Sequence, residues 1–193
     1  MHGSKNSEKS REIQRVTARL FAYKGYHSTS MREIARELGM NQSSLYHYFR
    51  SKEEILFKLM NDAIDNALTT LEEICDGNLP PRDKLNNILH FYTRYYAGAP
   101  ERLILLINEQ NSLNNEHRSV LVDKQRRYVH LFQEVFEELE GHHLTKEIPH
   151  SVAIFAFLGM VHYTIKWYQK DGAVGLERLA EIFAEIFTKG TLK

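Results

Sequence analysis

Side chains that could bind DNA are concentrated in one short segment near the start of the 193-residue chain. Residues 42–49 read Gln-Ser-Ser-Leu-Tyr-His-Tyr-Phe, and Leu45 and Phe49 are one helical turn apart. These two apolar side chains would pack against a core, which leaves the others facing outward. The N-terminal group could reach base edges in a major groove: Gln42, Ser43 and Ser44. A second group suits phosphate oxygens: Tyr46, Tyr48 and Lys52.

The elements around this segment predict a helix-turn-helix. Ser30 followed by Glu33 has the spacing of a capping box, so a helix is expected to begin after Ser30. Its buried face would be Met31, Ile34, Ala35 and Leu38. Gly39 ends it, and Gly39–Asn41 is a turn short enough to join two helices in this arrangement. An earlier helix ending near Gly25 carries apolar side chains at helical spacing: Ile13, Val16, Thr17, Leu20 and Phe21.

The rest of the chain is predicted to be helical as well, because no β-type alternation persists anywhere in the sequence. A long helix should begin after Ser51, and residues 76–81 interrupt the chain with glycine and two prolines. Further helices are expected at about 82–97, 101–113, 116–140, 146–170 and 175–188. The predicted fold is therefore all-α with about nine helices. We assign residues 1–52 to a helix-turn-helix domain and residues 53–193 to a ligand-binding and dimerisation domain.

The distribution of charge supports a polyanionic partner at the N-terminal end. The formal net charge of the chain is zero, but residues 1–52 contain ten lysines and arginines against four acidic residues. These first residues therefore carry a charge of +6, and residues 53–193 carry −6. A basic head on an acidic body favours an interaction of the head with nucleic acid.

Composition excludes several other classes of protein. Cys75 is the single cysteine, so no disulfide framework can form within the chain. The most apolar run, residues 152–161, is too short to span a membrane, and the start of the chain has no apolar signal region. We therefore expect a cytoplasmic protein without a membrane partner. His142 and His143 are adjacent and lack metal spacing. With no nucleophile motif or phosphate loop either, neither an enzyme nor a cofactor is expected.

Two stretches of the N-terminal region resemble the TetR family of bacterial regulators. They are Phe21–Ala35, with Gly39–Met40 after it, and Ser44–Glu54, which contains the Leu-Tyr-His-Tyr-Phe run. The resemblance is dense over about residues 10–60. It implies an all-α transcriptional repressor that binds a near-palindromic operator as a homodimer and is released by a small molecule.

The resemblance also implies roles for individual residues. Four occupy positions from which family members contact bases: Arg32, Gln42, Ser43 and Ser44. Five occupy phosphate-contacting positions: Thr29, Tyr46, His47, Tyr48 and Lys52. Ser43 departs from the glycine, proline or alanine often found at its position, which weakens the case for its base contact.

Two C-terminal stretches, Gly159–Gly172 and Leu176–Gly190, resemble the end of the family branch that controls fatty-acid and sterol degradation, whose members bind acyl-CoA thioesters. An acyl-CoA needs an apolar tunnel, cations for its phosphates and a ring to stack on adenine. The predicted ligand-binding residues are Phe91, Tyr95, Arg102, Leu103, Ile107, Arg126, Phe155, Leu158, Tyr163, Lys166, Trp167 and Tyr168. Two alternatives stay open: a repressor that senses another hydrophobic compound such as a drug, and a DNA-binding interaction protein without a ligand.

The last two predicted helices are apolar on more than one side, which predicts pairing with a second copy in a four-helix bundle. The residues expected at this dimer interface are Phe155, Val161, Ile165, Leu179, Ile182, Phe183 and Ile186.

Overall fold

The computed structural model describes residues 2–193, with side chains from Ser7 onward. The predicted basic head includes two parts that lie outside the described residues, Met1 and the side chain of Lys5. The helices are α1 (His2–Lys24), α2 (Met31–Glu37), α3 (Gln42–Tyr46), α4 (Lys52–Asp76), α5 (Pro81–Ala97), α6 (Pro100–Asn108), α7 (Asn115–Gly141), α8 (His150–His162), α9 (Thr164–Trp167) and α10 (Leu176–Thr191). A 3-10 turn at Gln110–Ser112 lies between α6 and α7. The all-α prediction is confirmed.

The chain forms two compact units. The first contains the described residues up to Ala63 together with Glu101–Leu121, and the second contains Ile64–Pro100 and Val122–Lys193. Two of the boundaries between the units fall within helices, one between Ala63 and Ile64 in α4 and the other between Leu121 and Val122 in α7. Residues 53–63 and 101–121, which were predicted to belong to the C-terminal domain, therefore lie in the same compact unit as the helix-turn-helix. The functional boundary after residue 52 stays a prediction.

In the first unit, short-range polar contacts define the ends of α2 and α3. The Ser30 hydroxyl accepts a hydrogen bond from the Glu33 backbone N–H at 3.2 Å, as the capping-box spacing predicts. The Asn41 side chain does the same for the Ser44 N–H at 2.7 Å. Gly39, in the turn between the two helices, has φ +63°, a left-handed conformation that glycine adopts without steric cost. Local sequence therefore determines the angle at which α3 begins.

Residues 101–121 join the first unit through polar and aromatic contacts. The Glu53 carboxylate accepts a hydrogen bond from the Asn114 backbone N–H at 3.2 Å and lies 2.8 Å from Nδ1 of His117. Phe57 stacks on the His117 ring with centroids 3.8 Å apart. Because Glu53 and Phe57 lie on the first turns of α4, these contacts hold the start of α7 beside the helix that follows the helix-turn-helix.

In the second unit, α5 and α10 approach closely at Gly98, the residue that ends α5. A Cβ atom on Gly98 would lie 2.5 Å from the Arg94 backbone oxygen and 2.8 Å from Cδ2 of Leu176. Real Cβ contacts are longer than this, so only glycine fits here. The same unit has an aromatic interior: Tyr92, Tyr128, Phe132 and Phe157 are all buried.

The prediction of one helix over residues 146–170 is wrong. The helical segment begins only at His150, after Pro149, and is divided at Tyr163 into α8 and the four-residue α9. Proline lacks the backbone N–H that a helix interior needs, which explains the late start. In the described part of the chain, no helix combines the length and apolarity of a membrane span. The described side chains also include no cluster of three or more His, Cys, Asp or Glu that could hold a metal ion.

Candidate nucleic-acid interface and effector unit

The helix-turn-helix presents most of the predicted DNA-binding side chains on its surface. Leu45 and Phe49 are buried, which confirms the face predicted to pack inward. The side chains exposed to solvent are Arg32, Gln42, Ser43, Tyr46 and His47, and those half-buried are Ser44 and Tyr48. All except Arg32 lie on or directly after α3. Arg32 lies on the first turn of α2, so the structure brings residues from both helices of the motif to the surface.

Arg32 and Gln42 line the same open depression, which has a volume of about 700 Å³. Lys24 and Arg36 also line it, and both form ion pairs with Glu33. The hydrogen bond from Lys24 is the main reason why the pKa of Glu33 is held below its ordinary value. The acidic group on this surface is therefore compensated by two cations, and the Arg32 guanidinium is exposed beside it.

Two of the predicted phosphate-contacting residues make contacts inside the domain. Thr29 is 2% exposed, and its hydroxyl donates to the Gly25 backbone oxygen at 2.9 Å. The Lys52 ammonium donates to the Tyr26 backbone oxygen at 2.8 Å and lies 4.1 Å from the centre of the Tyr26 ring. Both residues therefore stabilise the chain between α1 and α2, a role that the sequence pattern did not indicate.

The polar side chains at the start of α3 are positioned by one another. The Ser43 hydroxyl donates to Oδ1 of Asn41 at 2.8 Å, the same oxygen that caps the helix. The Gln42 side-chain amide lies 3.5 Å from the Tyr46 hydroxyl, one turn further along. These contacts restrict the rotamers of exposed side chains, which lowers the entropy lost when such side chains bind a partner.

The predicted ligand-binding residues do not form a single group. Arg102, Leu103 and Ile107 belong to the first unit, and the others belong to the second. Within the second unit Leu158 is buried, whereas Phe155 is 60% and Tyr163 66% exposed. Of the remaining six, Phe91, Tyr95 and Tyr168 are half-buried, Lys166 and Trp167 are exposed, and the exposed Arg126 pairs with Asp123 at 3.0 Å. Their ligand contacts stay a prediction.

The aromatic interior of the second unit contains polar groups that sequence reasoning missed. The Tyr92 hydroxyl lies 2.6 Å from Nε2 of His162, and the two side chains share a hydrogen bond. The Tyr92 and Tyr128 rings are 5.4 Å apart in an edge-to-face contact. The helical period offered one signal, since Tyr92 and Tyr96 share a face of α5, whereas the predicted ligand-binding residues Phe91 and Tyr95 lie on the adjacent face.

The predicted dimer residues divide between interior and surface. Val161, Leu179 and Phe183 are buried within their own unit, so they do not form exposed surface as expected. Ile165 and Ile182 are half-buried. Phe155 and Ile186 are exposed by 60% and 56%, and Val152, which was not predicted, by 59%. An exposed apolar surface therefore exists on α8 and α10, but it is smaller than the periodicity indicated.

Comparison with known proteins agrees with this architecture. Residues 13–59 match the family described as "Bacterial regulatory proteins, tetR family", and residues 78–191 match "Tetracyclin repressor-like, C-terminal domain". The HTH-type transcriptional repressor KstR2 of Mycobacterium tuberculosis H37Rv is 21% identical over 99% of this chain and 96% of its own. The fatty acid metabolism regulator protein of Bacillus subtilis is 21% identical over 93% of each chain.

Solved structures share the fold. A TetR-family transcriptional regulator from Bordetella parapertussis superimposes with a TM-score of 0.83 at 28% identity, covering 92% of this chain and 93% of its own. AibR in complex with isovaleryl coenzyme A and operator DNA gives a TM-score of 0.81 at 28% identity, covering 92% of this chain and 96% of that chain. These relatives are regulators of transcription, not enzymes.

Proposed function

The chain belongs to the TetR family of DNA-binding transcriptional regulators, and from this membership we propose that it is a repressor released from its operator by a fatty acyl-CoA or a similar CoA thioester. The observation that carries the effector class is the likeness to AibR, which was solved with a CoA thioester and operator DNA together. Likeness to KstR2 and to a fatty acid metabolism regulator supports the same class. A protein that binds bacterial chromosomal DNA works in the cytoplasm.

On DNA, α3 enters the major groove by its N-terminal end. Gln42 and Ser43 are exposed there and Ser44 is half-exposed, so these polar side chains contact base edges together with Arg32 from α2. Tyr46, His47 and Tyr48 contact phosphates at the groove edge. Lys52 joins them because an ammonium group has three N–H donors and the Tyr26 backbone oxygen uses one. Thr29 is 2% exposed and its hydroxyl donates to the Gly25 backbone oxygen, so it supports the loop before α2 instead of contacting a phosphate.

In the second unit, the exposed groups around α9 suit the polar part of a CoA thioester. Trp167 and Tyr163 offer exposed rings for adenine, and Lys166 and Lys170 are exposed cations beside them. Phosphate groups bind such cations by charge-assisted hydrogen bonds. Leu158 and the half-buried Phe91 and Tyr95 belong to the same unit and supply apolar surface for an acyl chain.

The repressor acts as a homodimer through α8 and α10. Val152, Phe155 and Ile186 are exposed large apolar side chains on these two helices. Pairing with the same helices of a second copy would form a four-helix bundle and bury these side chains. Two copies related by a two-fold axis then present two α3 helices to a near-palindromic operator.

The proposal is tested by selecting operator DNA from a random library and titrating the protein–DNA complex with butyryl-, decanoyl- and palmitoyl-CoA. We expect at least one thioester to lower operator affinity by about tenfold or more, in the range of allosteric coupling free energies. Free CoA and the free fatty acids serve as controls.

Three results would contradict parts of this proposal separately. Failure to enrich any DNA sequence would contradict the proposal that the protein recognises a specific operator. Release by unrelated hydrophobic drugs but not by thioesters would mean that the effector is another kind of hydrophobic compound and not a CoA thioester. Binding to the operator without response to any small molecule would show a regulator that uses no effector.

A further inference from the structure

Two buried tyrosines, Tyr92 and Tyr128, and the half-buried His162 form a polar group inside the second unit. Tyr92 is 4% exposed and Tyr128 6% exposed, and the pair of Tyr92 and His162 shares the 2.6 Å hydrogen bond. The rings of Phe132 and Phe157 lie 6.2 and 5.8 Å from the Tyr92 ring. These three polar groups come from α5, α7 and α8, three helices of the unit.

Tyr128 differs from Tyr92 because its hydroxyl is buried without a hydrogen-bond partner. A buried hydroxyl without a partner is costly, and native structures contain few of them. Burial raises the pKa of Tyr92 and Tyr128 well above the ordinary value, and nearby tyrosine hydroxyls add to the rise at Tyr128. Tyr128 is therefore a protonated donor at neutral pH.

Tyr92 and His162 hydrogen-bond to each other, and neither of them accepts a hydrogen bond from Tyr128. Burial also lowers the pKa of His162, so its ring is neutral at neutral pH and does not compete as a charged donor. The ring of Phe132, whose centre lies 5.8 Å from that of Tyr128, has no acceptor atom. The buried Tyr128 hydroxyl is therefore a donor that has no acceptor within hydrogen-bond distance.

We propose that Tyr128 donates a hydrogen bond to a carbonyl oxygen of the effector, so that the second unit selects ligands whose apolar body carries such an oxygen. This inference rests on the proposed CoA-thioester function. The carbonyl has two possible sources, the thioester group itself or a ketone farther along the chain. Aromatic neighbours provide the apolar surroundings in which a single hydrogen bond discriminates strongly between ligands.

The test measures binding by calorimetry with matched probes. The first pairs are butyryl-, decanoyl- and palmitoyl-CoA against S-alkyl-CoA thioethers of the same lengths, which lack the thioester carbonyl. The second pair is decanoyl-CoA with and without a ketone next to its terminal methyl group. For wild-type protein we expect the carbonyl-bearing member of one pair to bind about five- to tenfold more tightly. The pair that shows this preference identifies the source of the oxygen.

Tyr128→Phe should remove that preference, because both members of the pair then bind equally. Its midpoint of thermal unfolding without ligand should stay the same or rise, since the variant removes an unpaired buried hydroxyl. Thr93→Val is the matched control: it deletes a buried hydroxyl on α5 that already donates to the Leu89 backbone oxygen at 2.9 Å. This control should keep the wild-type preference.

Equal binding of both members of every pair to wild-type protein would overturn the inference while leaving the effector class intact. A preference that persists in Tyr128→Phe would overturn it as well. If no thioester bound at any length, the proposed effector class would fail, and this inference with it.

Discussion

The Lys52 ammonium lies between the Tyr26 backbone oxygen, 2.8 Å away, and the face of the Tyr26 ring, whose centre is 4.1 Å away. Lys52 is the first residue of α4, and Tyr26 is in the loop after α1. One cation thus connects the start of α4 to the loop that precedes the helix-turn-helix. The same cation can also serve a DNA phosphate with its remaining N–H groups.

Replacing Lys52 with Met should weaken binding to all DNA sequences about equally, because a phosphate contact carries no sequence information. The slope of log affinity against log salt should fall by about 0.9. Fluorescence anisotropy over a range of salt concentrations measures both. Lys58→Met removes the same charge from a residue of α4 that pairs with Asp62, and its slope should match wild type. An unchanged slope in Lys52→Met would mean that Lys52 contacts Tyr26 but no DNA phosphate.

Replacing Arg32 or Gln42 with Ala should instead reduce discrimination between the selected operator and scrambled DNA. The expected loss is about 1–3 kcal/mol for each bidentate base contact. Competition binding with the two DNA duplexes measures the ratio. Arg11→Ala, on the exposed surface of α1, should retain the full ratio. If both variants kept wild-type discrimination, Arg32 and Gln42 would not contact bases in the proposed manner.

Phe155→Glu should shift the protein from dimer to monomer in sedimentation experiments at micromolar concentration. Burying a side chain of this size contributes about 1.5–3 kcal/mol, and two copies lose it in each dimer. A carboxylate in its place would also have to lose its hydration when the proposed interface forms. Leu79→Glu makes a similar change at a residue that is 42% exposed and lies outside α8 and α10. This second variant should remain dimeric, and a dimer in both would place the interface elsewhere.

The stability of the second unit should depend on pH through His162. Burial lowers the pKa of this side chain below its ordinary value of about 6.5. As the pH falls, the unfolded chain therefore takes up a proton on this side chain before the folded chain does. The contribution of His162 to the free energy of unfolding is complete above a pH of about 6.5 and is lost as the pH falls to the lowered pKa. The loss is about 1.4 kcal/mol for each unit of lowering.

Denaturant unfolding at pH 7.5 and 5.5 measures this effect as a difference between proteins. His162→Gln should show a smaller loss of unfolding free energy on acidification than wild type does. His142→Gln, at an exposed residue, should show the wild-type loss. Equal losses in all three proteins would mean that His162 titrates alike in the folded and unfolded chains.

Gly98→Ala should destabilise the protein by about 1–3 kcal/mol, the usual cost of forcing extra atoms into a packed site. The added methyl would meet the Arg94 backbone oxygen and the Leu176 side chain, and α5 and α10 would have to separate. Gly190→Ala adds the same methyl near the end of α10, where no atom other than those of the chain neighbours and the helix's own backbone lies within 4 Å. Its unfolding free energy should be unchanged or slightly higher. Thermal and denaturant unfolding distinguish the two variants.

The helix-turn-helix could be predicted from the sequence because its determinants are local. Ser30 and Asn41 cap helices within three residues of themselves, Gly39 turns the chain, and Leu45 with Phe49 define a buried face by their spacing alone. Exposure of Gln42, Ser43 and Tyr46 then follows from the helical period. A match to the same motif in known regulators adds to this local information.

The interior of the second unit depends on tertiary structure. Tyr92, Tyr128 and His162 lie far apart in the chain, and no spacing rule connects them. In α8 apolar residues occur on every side, so the period could not tell that Phe155 is exposed whereas Phe157 is buried. The sequence by itself determined that the chain is all-α and where the helix-turn-helix lies. Only the packing of α5, α7 and α8 decided where the unpaired Tyr128 hydroxyl lies, because burial is a property of the assembled helices.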